Sequence, residues 1–192
     1  HYPQAIVSID TFRAKVAEEI VAAQRPVIVN DISGGTMDDG MFDYVARTGV
    51  PYIMMHIQGT PQTMQKNPHY EDIVKEVRKF LTDRIACLNA KGFDNIILDP
   101  GFGFGKTLAH NYELMNGLEH FQDLDYPLLV GISRKSMIYK LIDNSPAEAL
   151  NGTAVLNTIS LLKGANILRV HDVREAWEAV KIFRALSGGE ID

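Results

Sequence analysis

The sequence has a single cysteine, and this scarcity excludes an internal disulfide framework. Cys87 is the only cysteine among 192 residues, and one thiol cannot form a bridge within its own chain. Proteins that do without disulfides are typical of reducing compartments, so we expect a cytoplasmic protein. Its stability must then come from a hydrophobic core, for which a hydrophobic content of 46% is sufficient.

Clustered positive charge and long apolar runs are also missing. The 24 acidic residues outnumber the 19 Lys and Arg residues, which gives a net charge of -5. No basic cluster interrupts this balance, so we expect no nucleic-acid partner. No apolar run approaches the ~20 residues that a membrane-spanning helix needs, so we expect no membrane partner either. Length and composition together predict one globular domain over residues 1–192.

A repeated order of segments predicts the fold class. Six short apolar runs each have a polar residue at or just after their end, and each is followed by a segment with helical apolar spacing. The predicted strands are residues 5–10, 27–31, 52–56, 95–99, 127–132 and 167–170. The predicted helices are residues 13–23, 37–48, 70–90, 108–118, 135–141, 146–163 and 173–186. Apolar strands joined by helices indicate a parallel sheet covered by helices.

The ends of the predicted strands favour a barrel over an open doubly wound sheet. An open sheet that binds dinucleotides carries G-x-G-x-x-G after one strand, and this sequence has no such motif. A barrel instead collects polar residues from many strand ends at one mouth. Those positions hold Asp10, Asn30, His56, Asp99, Arg134, Lys135, Arg169 and His171. We therefore predict a TIM (β/α)₈ barrel with about six β/α units in this chain, and we expect the first two units to be missing from the sequence.

The most unusual stretch is residues 96–107, which reads I-I-L-D-P-G-F-G-F-G-K-T. We expect a buried strand that ends at Asp99, followed by a loop in which three alternate glycines let the backbone approach a ligand closely. Phe102 and Phe104 should either cover a flat ligand or fold back onto the barrel rim. Residues 101–107 resemble a phosphate-binding P-loop, but three residues separate the glycines where that motif has four, so we reject a nucleoside triphosphatase.

Three strand ends supply hydrogen-bond acceptors. Asp10, Asn30 and Asp99 could each cap a helix or begin a turn, which is the ordinary role of such residues. Together at one mouth they would form an acceptor-rich pocket, which suits a planar heterocycle that carries N–H donors. Met54 and Met55 should line the barrel interior or the floor of that pocket as ordinary packing, and His56 should be a core or supporting histidine.

Two other strand ends supply cations. Because alternate strand residues share a side, Arg169 and His171 should face the same way, and with Lys135 they suit an anionic group such as a phosphate. The alternative is structural: an ion pair in the barrel rim for residues 169–172, and a solvated helix start for residues 133–136. The spacing of the histidines gives no metal-binding pattern.

Six segments together resemble the bacterial dihydropteroate synthase family. They are S-I-D-T-F at residues 8–12, V-N-D-I-S-G-G at 29–35, M-H-I-Q-G-T-P-Q-T-M-Q at 55–65, L-D-P-G-F-G-F-G-K at 98–106, G-I-S-R-K-S at 131–136 and R-V-H-D at 169–172. The resemblance extends in order over nearly the whole chain. It implies a barrel that joins 6-hydroxymethyl-7,8-dihydropterin pyrophosphate to 4-aminobenzoate and releases pyrophosphate with the help of Mg²⁺, a transferase reaction of folate biosynthesis.

The resemblance also implies roles for individual residues. The pterin pocket would consist of Asp10, Asn30, Met55, Asp99, Gly131 and Lys135. Pyrophosphate would bind to Asn30, Arg169 and His171, and 4-aminobenzoate, or a sulfonamide that mimics it, would lie against Phe104, Lys135 and Ser136. The catalytic residues would be Asp10, Lys135, Arg169 and His171. The expected Mg²⁺ ligand is an asparagine in the family's N-terminal part, which has no counterpart here, so the metal ligands are unknown.

The resemblance further implies a cytoplasmic homodimer that pairs through its last helices. Because the family's first two strands have no counterpart, we expect these 192 residues to lack synthase activity on their own. Two other functions stay open. One is a pterin-binding domain that presents methyltetrahydrofolate to a corrinoid methyltransferase, which would not need the cations of the S-R-K-S segment. The other is an inactive barrel fragment that only dimerises.

Overall fold

The structure is a computed structural model that describes residues 4–23 and 26–189. Within these residues, six strands alternate with seven α-helices. The strands are β1 (Val7–Asp10), β2 (Val27–Asp31), β3 (Tyr52–Met55), β4 (Ile96–Asp99), β5 (Leu129–Val130) and β6 (Ile167–Leu168). The helices are α1 (Ala14–Ala23), α2 (Gly40–Thr48), α3 (Ile73–Asn89), α4 (Leu108–Asn116), α5 (Ser136–Tyr139), α6 (Leu150–Leu162) and α7 (Val173–Leu186). Short 3₁₀ helices at Leu118–Leu124 and Pro146–Glu148 follow α4 and precede α6.

The predicted segments are all present, but some are shorter than the apolar patterns indicated. β5 and β6 keep two residues each. The helix predicted from residue 37 begins only at Gly40. This delay has a local cause, because the carboxylate of Asp31 accepts the backbone N–H groups of Ser33 and Gly35 and stabilises a turn before the helix.

The strands are parallel and pair in the order in which they occur along the chain. β1 to β4 form one sheet, β5 pairs with β6, and a bridge between Leu98 and Leu128 joins the two parts. A doubly wound sheet reverses its strand order at a switch point, so that alternative is wrong. The described strands form the wall of a partial barrel, in which consecutive strands are neighbours.

Alternate residues of each strand face the helices and the barrel axis. The side chains that pack into the core beneath the helices include Val29, Tyr52, Met54, Leu98 and Val130. By strand alternation, Asn30, Met55 and Asp99 fall on the opposite side, toward the barrel axis. These three residues are only 3%, 0% and 1% exposed. The barrel therefore carries buried polar groups at the carboxyl ends of β2 and β4.

Several large apolar side chains on α6 and α7 are exposed, and we refer to them together as the α6–α7 surface. Its exposed large side chains are Val155, Leu162, Val173, Trp177, Ile182 and Leu186. The two helices pack against each other. In the described part of the chain, no helix is both long enough and apolar enough to span a membrane.

Candidate functional site

The carboxyl ends of β1 and β2 place two predicted acceptors side by side. Asp10 and Asn30 are paired in register, and the side-chain amide of Asn30 donates a hydrogen bond to the carboxylate of Asp10. Asp10 is exposed, whereas Asn30 is buried. The amide oxygen of Asn30 is buried and has no hydrogen-bond partner among the described residues. Buried acceptors are rarely left without a donor, so this atom marks a place for a donor from a ligand.

The carboxyl ends of β4 and β6 meet in a salt bridge. Nη2 of Arg169 donates to Oδ2 of Asp99 at 2.9 Å, and Oδ1 of Asp99 accepts the backbone N–H of Gly101 at 2.8 Å. The other terminal nitrogen of Arg169, Nη1, is buried without an acceptor among the described residues. The salt bridge thus leaves a donor free for an anion beside a carboxylate that is already fixed in place.

Gly131, which follows β5, makes room for this salt bridge. A Cβ atom at this position would lie 2.7 Å from Nη2 and 3.1 Å from Cζ of Arg169. The first distance is shorter than real Cβ contacts, so a side chain at Gly131 would displace the guanidinium group from Asp99. The resemblance placed Gly131 in the pterin pocket, and the structure gives it a position beside Arg169.

Lys135 precedes α5 and reaches across to the loop after β4. Its ammonium group donates to the carbonyl of Phe102 and lies 4.7 Å from the centre of the Phe104 ring. Burial lowers the pKa of Lys135 to about 8; the charge of Asp99 opposes this shift, and that of Arg169 adds to it. Ser136, the first residue of α5, follows directly. Lys135 therefore connects the aromatic wall of Phe104 with the Asp99–Arg169 pair.

The two phenylalanines of the loop have different roles. Phe102 is fully buried and belongs to the hydrophobic core, so it follows the second of the two predicted arrangements and folds back onto the barrel. Phe104 is half-buried, with Lys135 above its ring. Only Phe104 therefore presents an aromatic surface at the site.

Three backbone N–H groups of the glycine-rich loop (residues 101–105) are bonded within the protein and are not available to cradle a phosphate as in a P-loop. The N–H of Gly101 binds Asp99, that of Gly103 binds Oδ1 of Asn111 at 2.7 Å, and that of Phe104 binds the carbonyl of Gly101 at 3.1 Å. The glycine at 101 is required by a close approach, because a Cβ atom there would lie 1.9 Å from the carbonyl oxygen of His56.

Sequence reasoning missed Lys106, which is 4% exposed. Its ammonium group contacts Nδ1 of His56 at 2.9 Å and the carbonyls of Gly101 at 2.9 Å and Phe104 at 3.1 Å. Burial lowers the pKa of Lys106 to about 7, although the charge of Asp99 opposes the shift. One signal was available in the sequence: a lysine just before a helix is electrostatically disfavoured and so needs a specific partner.

His56 is buried, as expected for a core or supporting histidine. Its ring packs edge-on against Phe80, with 5.0 Å between the ring centres, and lies 6.1 Å from Tyr70. Burial, together with the charge of Lys106, lowers the pKa of His56 to about 2. The ring is therefore neutral at physiological pH, and its Nδ1 accepts the hydrogen bond from Lys106.

His171 lies at the exposed rim of the mouth. Its backbone N–H and its Nδ1 both contact the hydroxyl of Ser133, at 3.2 Å and 3.0 Å. Ser133 is buried, so it fixes the side chain of His171 relative to the end of β5. Sequence analysis treated Ser133 as part of the cation-bearing segment 133–136 and did not predict its contact with His171.

Arg134 supplies the partner for the ion pair that the sequence left as an alternative for residues 169–172, and it is not the solvated residue that the alternative for residues 133–136 described. Its guanidinium group makes a two-pronged salt bridge to Asp172, with distances of 2.9 Å and 2.8 Å, and also donates to the carbonyls of Pro146 and Ala147. Its φ angle of 54° places it in the left-handed region. Arg134 thus ties the loop after β5 to the loop after β6, and it leaves Lys135 as the cation of this segment that faces the loop.

The sequence predicted an acceptor half and a cation half on opposite sides of the mouth. The structure brings them into direct contact, because Asp99 of the first half is bonded to Arg169 of the second. The acceptors that remain unpaired with a cation are those of Asp10 and Asn30. The β1–β2 side of the mouth therefore carries acceptors and the β6 side carries cations, and the Asp99–Arg169 salt bridge joins the two sides.

The described residues do not form a metal site. No three of their His, Cys, Asp or Glu side chains lie close enough together to hold a metal ion. The aspartates at the mouth, one exposed beside an asparagine and one paired with arginine, do not by themselves make a protein cage for Mg²⁺, and the asparagine ligand that the resemblance implies has no counterpart in this chain.

Comparisons with known proteins agree with these observations. Residues 1–171 match the family described as pterin binding enzyme. The dihydropteroate synthase of Escherichia coli K12 is 42% identical over 181 residues, which are 93% of this chain and 64% of that protein. The enzyme of Haemophilus influenzae is 40% identical over 182 residues, 93% of this chain and 65% of that protein. The chain thus spans just under two thirds of the length of these relatives.

Solved structures give the same result. Dihydropteroate synthase from Stenotrophomonas maltophilia with active-site-bound imidazole superposes with a TM-score of 0.91 at 41% identity, covering 96% of this chain and 70% of that one. The Xanthomonas albilineans enzyme in complex with 7,8-dihydropteroate has a TM-score of 0.86 at 34% identity, with coverages of 95% and 67%. The Yersinia pestis enzyme in a sulfonamide drug complex has a TM-score of 0.89 at 39% identity, with coverages of 94% and 66%. These matches confirm the predicted barrel fold.

Proposed function

Because this chain belongs to the pterin binding enzyme family, we propose that it carries the pterin and pyrophosphate sites of a dihydropteroate synthase. The reaction is a transfer: the methylene carbon of 6-hydroxymethyl-7,8-dihydropterin pyrophosphate loses its bond to the pyrophosphate oxygen and gains one to the amine nitrogen of 4-aminobenzoate. The amine then releases a proton. The relatives that are named dihydropteroate synthases support this reaction over the corrinoid methyltransferase alternative.

One observation carries the proposal: two buried polar atoms at the mouth lack partners, and they are of opposite kinds. The amide oxygen of Asn30 is an acceptor without a donor, and Nη1 of Arg169 is a donor without an acceptor. A buried polar atom without a partner costs roughly 1–3 kcal/mol. A ligand with an N–H group at one end and an anionic oxygen at the other would satisfy both atoms, and pterin pyrophosphate has these two ends.

The pterin ring would lie between the acceptors. Both oxygens of Asp99 already accept a hydrogen bond, from Gly101 and Arg169, but each carboxylate oxygen has a second lone pair for an N–H group of the ring. Asp10 and Asn30 would receive donors on the opposite edge, while Met55 forms the apolar floor. The fixed position of Asp99 means that little reorganisation is needed on binding.

The pyrophosphate would lie against Arg169 and His171 with Asn30 nearby, and Lys135 would add a further cation to the mouth. Negative charge grows on the leaving group as the carbon–oxygen bond breaks, and positioned cations stabilise that charge. Arg169 donates through its free Nη1, and Lys135 stays largely protonated below its pKa of about 8. The arylamine is nucleophilic without a strong base, so positioning contributes most of the remaining rate.

The 4-aminobenzoate would lie along Phe104, Lys135 and Ser136. Phe104 offers a flat, half-buried ring with the ammonium group of Lys135 above it. A ring stacked there would place its amine toward the pterin methylene and its carboxylate toward the start of α5. The sulfonamide in the Yersinia pestis complex supports the further proposal that sulfonamides compete for this surface.

Mg²⁺ remains outside this account. No group of three His, Cys, Asp or Glu side chains among the described residues could hold the ion, and its ligands in this chain are not assigned. When bound by a synthase, Mg²⁺ would supply additional positive charge for the pyrophosphate.

We also propose that the chain folds as a single domain over residues 1–192, works in the cytoplasm and forms a homodimer. The exposed apolar side chains of the α6–α7 surface support the dimer, since a large exposed apolar area commonly marks a protein interface. Neither nucleic acid nor a membrane is proposed as a partner.

A ligand titration tests the function without requiring turnover. The fluorescence of 6-hydroxymethylpterin pyrophosphate is followed as wild-type chain, Asp99→Asn or Asp123→Asn is added. Asp123 is the matched control, because it is a surface aspartate paired with Arg78. We expect binding by the wild type and the control, and a loss of at least about tenfold in Asp99→Asn, since that change removes a charge-assisted hydrogen bond.

The same titration separates the alternatives. Tighter binding of methyltetrahydrofolate than of pterin pyrophosphate would favour the corrinoid methyltransferase function. Binding of neither ligand by the folded wild-type chain would overturn the proposal and favour an inactive barrel fragment.

A further inference from the structure

Lys106 is a buried cation for which the proposed reaction has no use. Its ammonium group lies within 3.1 Å of three acceptors, namely Nδ1 of His56 and the carbonyls of Gly101 and Phe104. A lysine ammonium group has three N–H donors, so all of them are engaged. Burying a lysine is unfavourable unless it is fully hydrogen-bonded. The buried position of Lys106 therefore needs an explanation, and we look for it in the segments that its ammonium group contacts.

They hold the glycine-rich loop from the inside. The two carbonyls that Lys106 binds belong to Gly101 and Phe104, and they flank the carbonyl of Phe102, which accepts from Lys135 on the site side. The loop thus lies between two lysines, one buried beneath it and one at the mouth. Displacing Lys106 would shift the loop carbonyls, including that of Phe102, which fixes the ammonium group of Lys135.

The loop requires such a fixing group because of its composition. Gly101, Gly103 and Gly105 have φ angles of 73°, 81° and 62°. Glycine loses more backbone freedom on folding than other residues, so an alternating glycine loop is costly to order. Hydrogen bonds from a charged donor are roughly twice as strong as neutral ones and offset this cost at two points.

We propose that Lys106 is a positioning residue, which together with His56 holds the glycine-rich loop in the shape that places Phe104 and Lys135 at the mouth. The part of this inference that concerns ligands rests on the proposed function. His56 contributes an acceptor that cannot compete for a proton, because burial and the charge of Lys106 keep its ring neutral. Lys106 itself touches no ligand and acts through the loop.

We call the contacts of Lys106 with His56 and with the carbonyls of Gly101 and Phe104 the clamp. Hydrogen–deuterium exchange tests the clamp without any ligand. Wild-type chain is compared with Lys106→Met, which keeps the length of the side chain, and with Lys15→Met, which changes an exposed lysine on α1. In Lys106→Met we expect the amides of Gly103 and Phe104 to exchange at least about tenfold faster, because their loop loses two charged hydrogen bonds, while β2 and α6 keep their protection. Lys15→Met should match the wild type everywhere.

Two results of this measurement would overturn the proposal. One is unchanged exchange in the loop, and the other is an equal acceleration in every element, which would indicate a purely structural role for Lys106. If Lys106→Met does not fold, His56→Leu decides the question, because it removes one of three acceptors and leaves the lysine in place. His56→Leu should accelerate exchange in the glycine-rich loop alone. Unchanged exchange in this variant would also overturn the proposal.

Ligand affinities show whether the clamp serves the site. For Lys106→Met we expect the affinity for 4-aminobenzoate, measured with pterin and inorganic pyrophosphate present, to fall at least about tenfold more than the affinity for pterin pyrophosphate. Equal losses for the two ligands would contradict positioning of Phe104 and Lys135 in particular. A wild-type chain that binds no pterin would defeat the proposed function, whereas the exchange result would still decide the clamp.

Discussion

At the scale of single residues, the salt bridge between Asp99 and Arg169 connects the two kinds of chemistry at the mouth. Asp99 is held by the N–H of Gly101 on one side and by Arg169 on the other. The guanidinium group fits only because Gly131 has no side chain. Asp99 is buried, whereas the Arg169 side chain is 38% exposed, so we expect the pair to contribute less to stability than to the placement of its members.

The fit at Gly131 leads to a first prediction. In Gly131→Ala the new methyl group would lie 2.7 Å from Nη2 of Arg169, so the guanidinium group must move away from Asp99. We expect the affinity for inorganic pyrophosphate, measured by calorimetry, to fall about tenfold or more, with a loss of stability of about 1–3 kcal/mol. Gly40→Ala, at the start of α2, is the control and should bind as the wild type does. Wild-type affinity in Gly131→Ala would contradict the described fit.

The two buried lysines predict how stability depends on pH. The pKa is about 7 for Lys106 and about 8 for Lys135, against an ordinary value of 10.5. Above pH 7 the unfolded chain therefore holds more protons on these lysines than the folded chain does, so the free energy of unfolding rises with pH. We expect the midpoint of denaturant unfolding to be higher at pH ~9 than at pH ~7, and the gain to be smaller in Lys106→Met.

The pH range of this stability measurement must stay below 10, the ordinary pKa of tyrosine, because burial raises the pKa values of Tyr52 and Tyr70. Above that value the unfolded tyrosines lose protons first, so they destabilise the fold and oppose the lysines. A fall in stability between pH ~7 and ~9, or equal gains in the wild type and Lys106→Met, would be inconsistent with the burial of these lysines.

At the scale of elements, hydrophobic periodicity located the strands and helices, whereas hydrogen bonds between distant segments decided what their ends do. The spacing of apolar residues three and four positions apart predicted α7 over residues 173–186, as observed. The same reasoning could not find the contact of Lys106 with His56, because those residues are 50 positions apart in the sequence. It also could not separate buried Phe102 from half-buried Phe104, which share one loop and one residue type.

The site residues divide in the same way. The order of strand ends predicted that Asn30 and Asp99 meet at one mouth, and Met55 was expected on the floor of the pocket. Strand ends do not determine which polar groups bond to each other, so the direct contact of Asp99 with Arg169 was not predicted. The roles of these residues toward substrates stay predictions until ligands are bound.

The α6–α7 surface leads to a prediction about assembly. If it forms the dimer interface, a charge at Trp177, which is 54% exposed, would be buried without a partner on association. We expect Trp177→Glu to be monomeric and the wild type to be dimeric when each is measured by light scattering during gel filtration. Leu141→Glu, at a residue that is equally exposed (54%) but outside this surface, should remain dimeric. A dimeric Trp177→Glu, or a monomeric wild type, would contradict the proposed interface.

At the scale of the whole molecule, the sequential order of the strands is what brings the site together. Because each strand pairs with the next one along the chain, the carboxyl ends of β1 to β6 all lie at the same edge of the wall. Residues as far apart in sequence as Asp10 and Arg169 therefore belong to one mouth. The chain spans 64% of the Escherichia coli relative, and the expectation that it does not catalyse the complete reaction alone stays a prediction.

The most direct measurement of the central claim is a crystal structure of the chain with 6-hydroxymethylpterin pyrophosphate. We expect a ring N–H within ~3 Å of the amide oxygen of Asn30 and a pyrophosphate oxygen within ~3 Å of Nη1 of Arg169, so that both buried atoms gain their missing partners. A ligand bound away from the carboxyl ends of the strands, or bound there with both atoms still unpaired, would contradict the account.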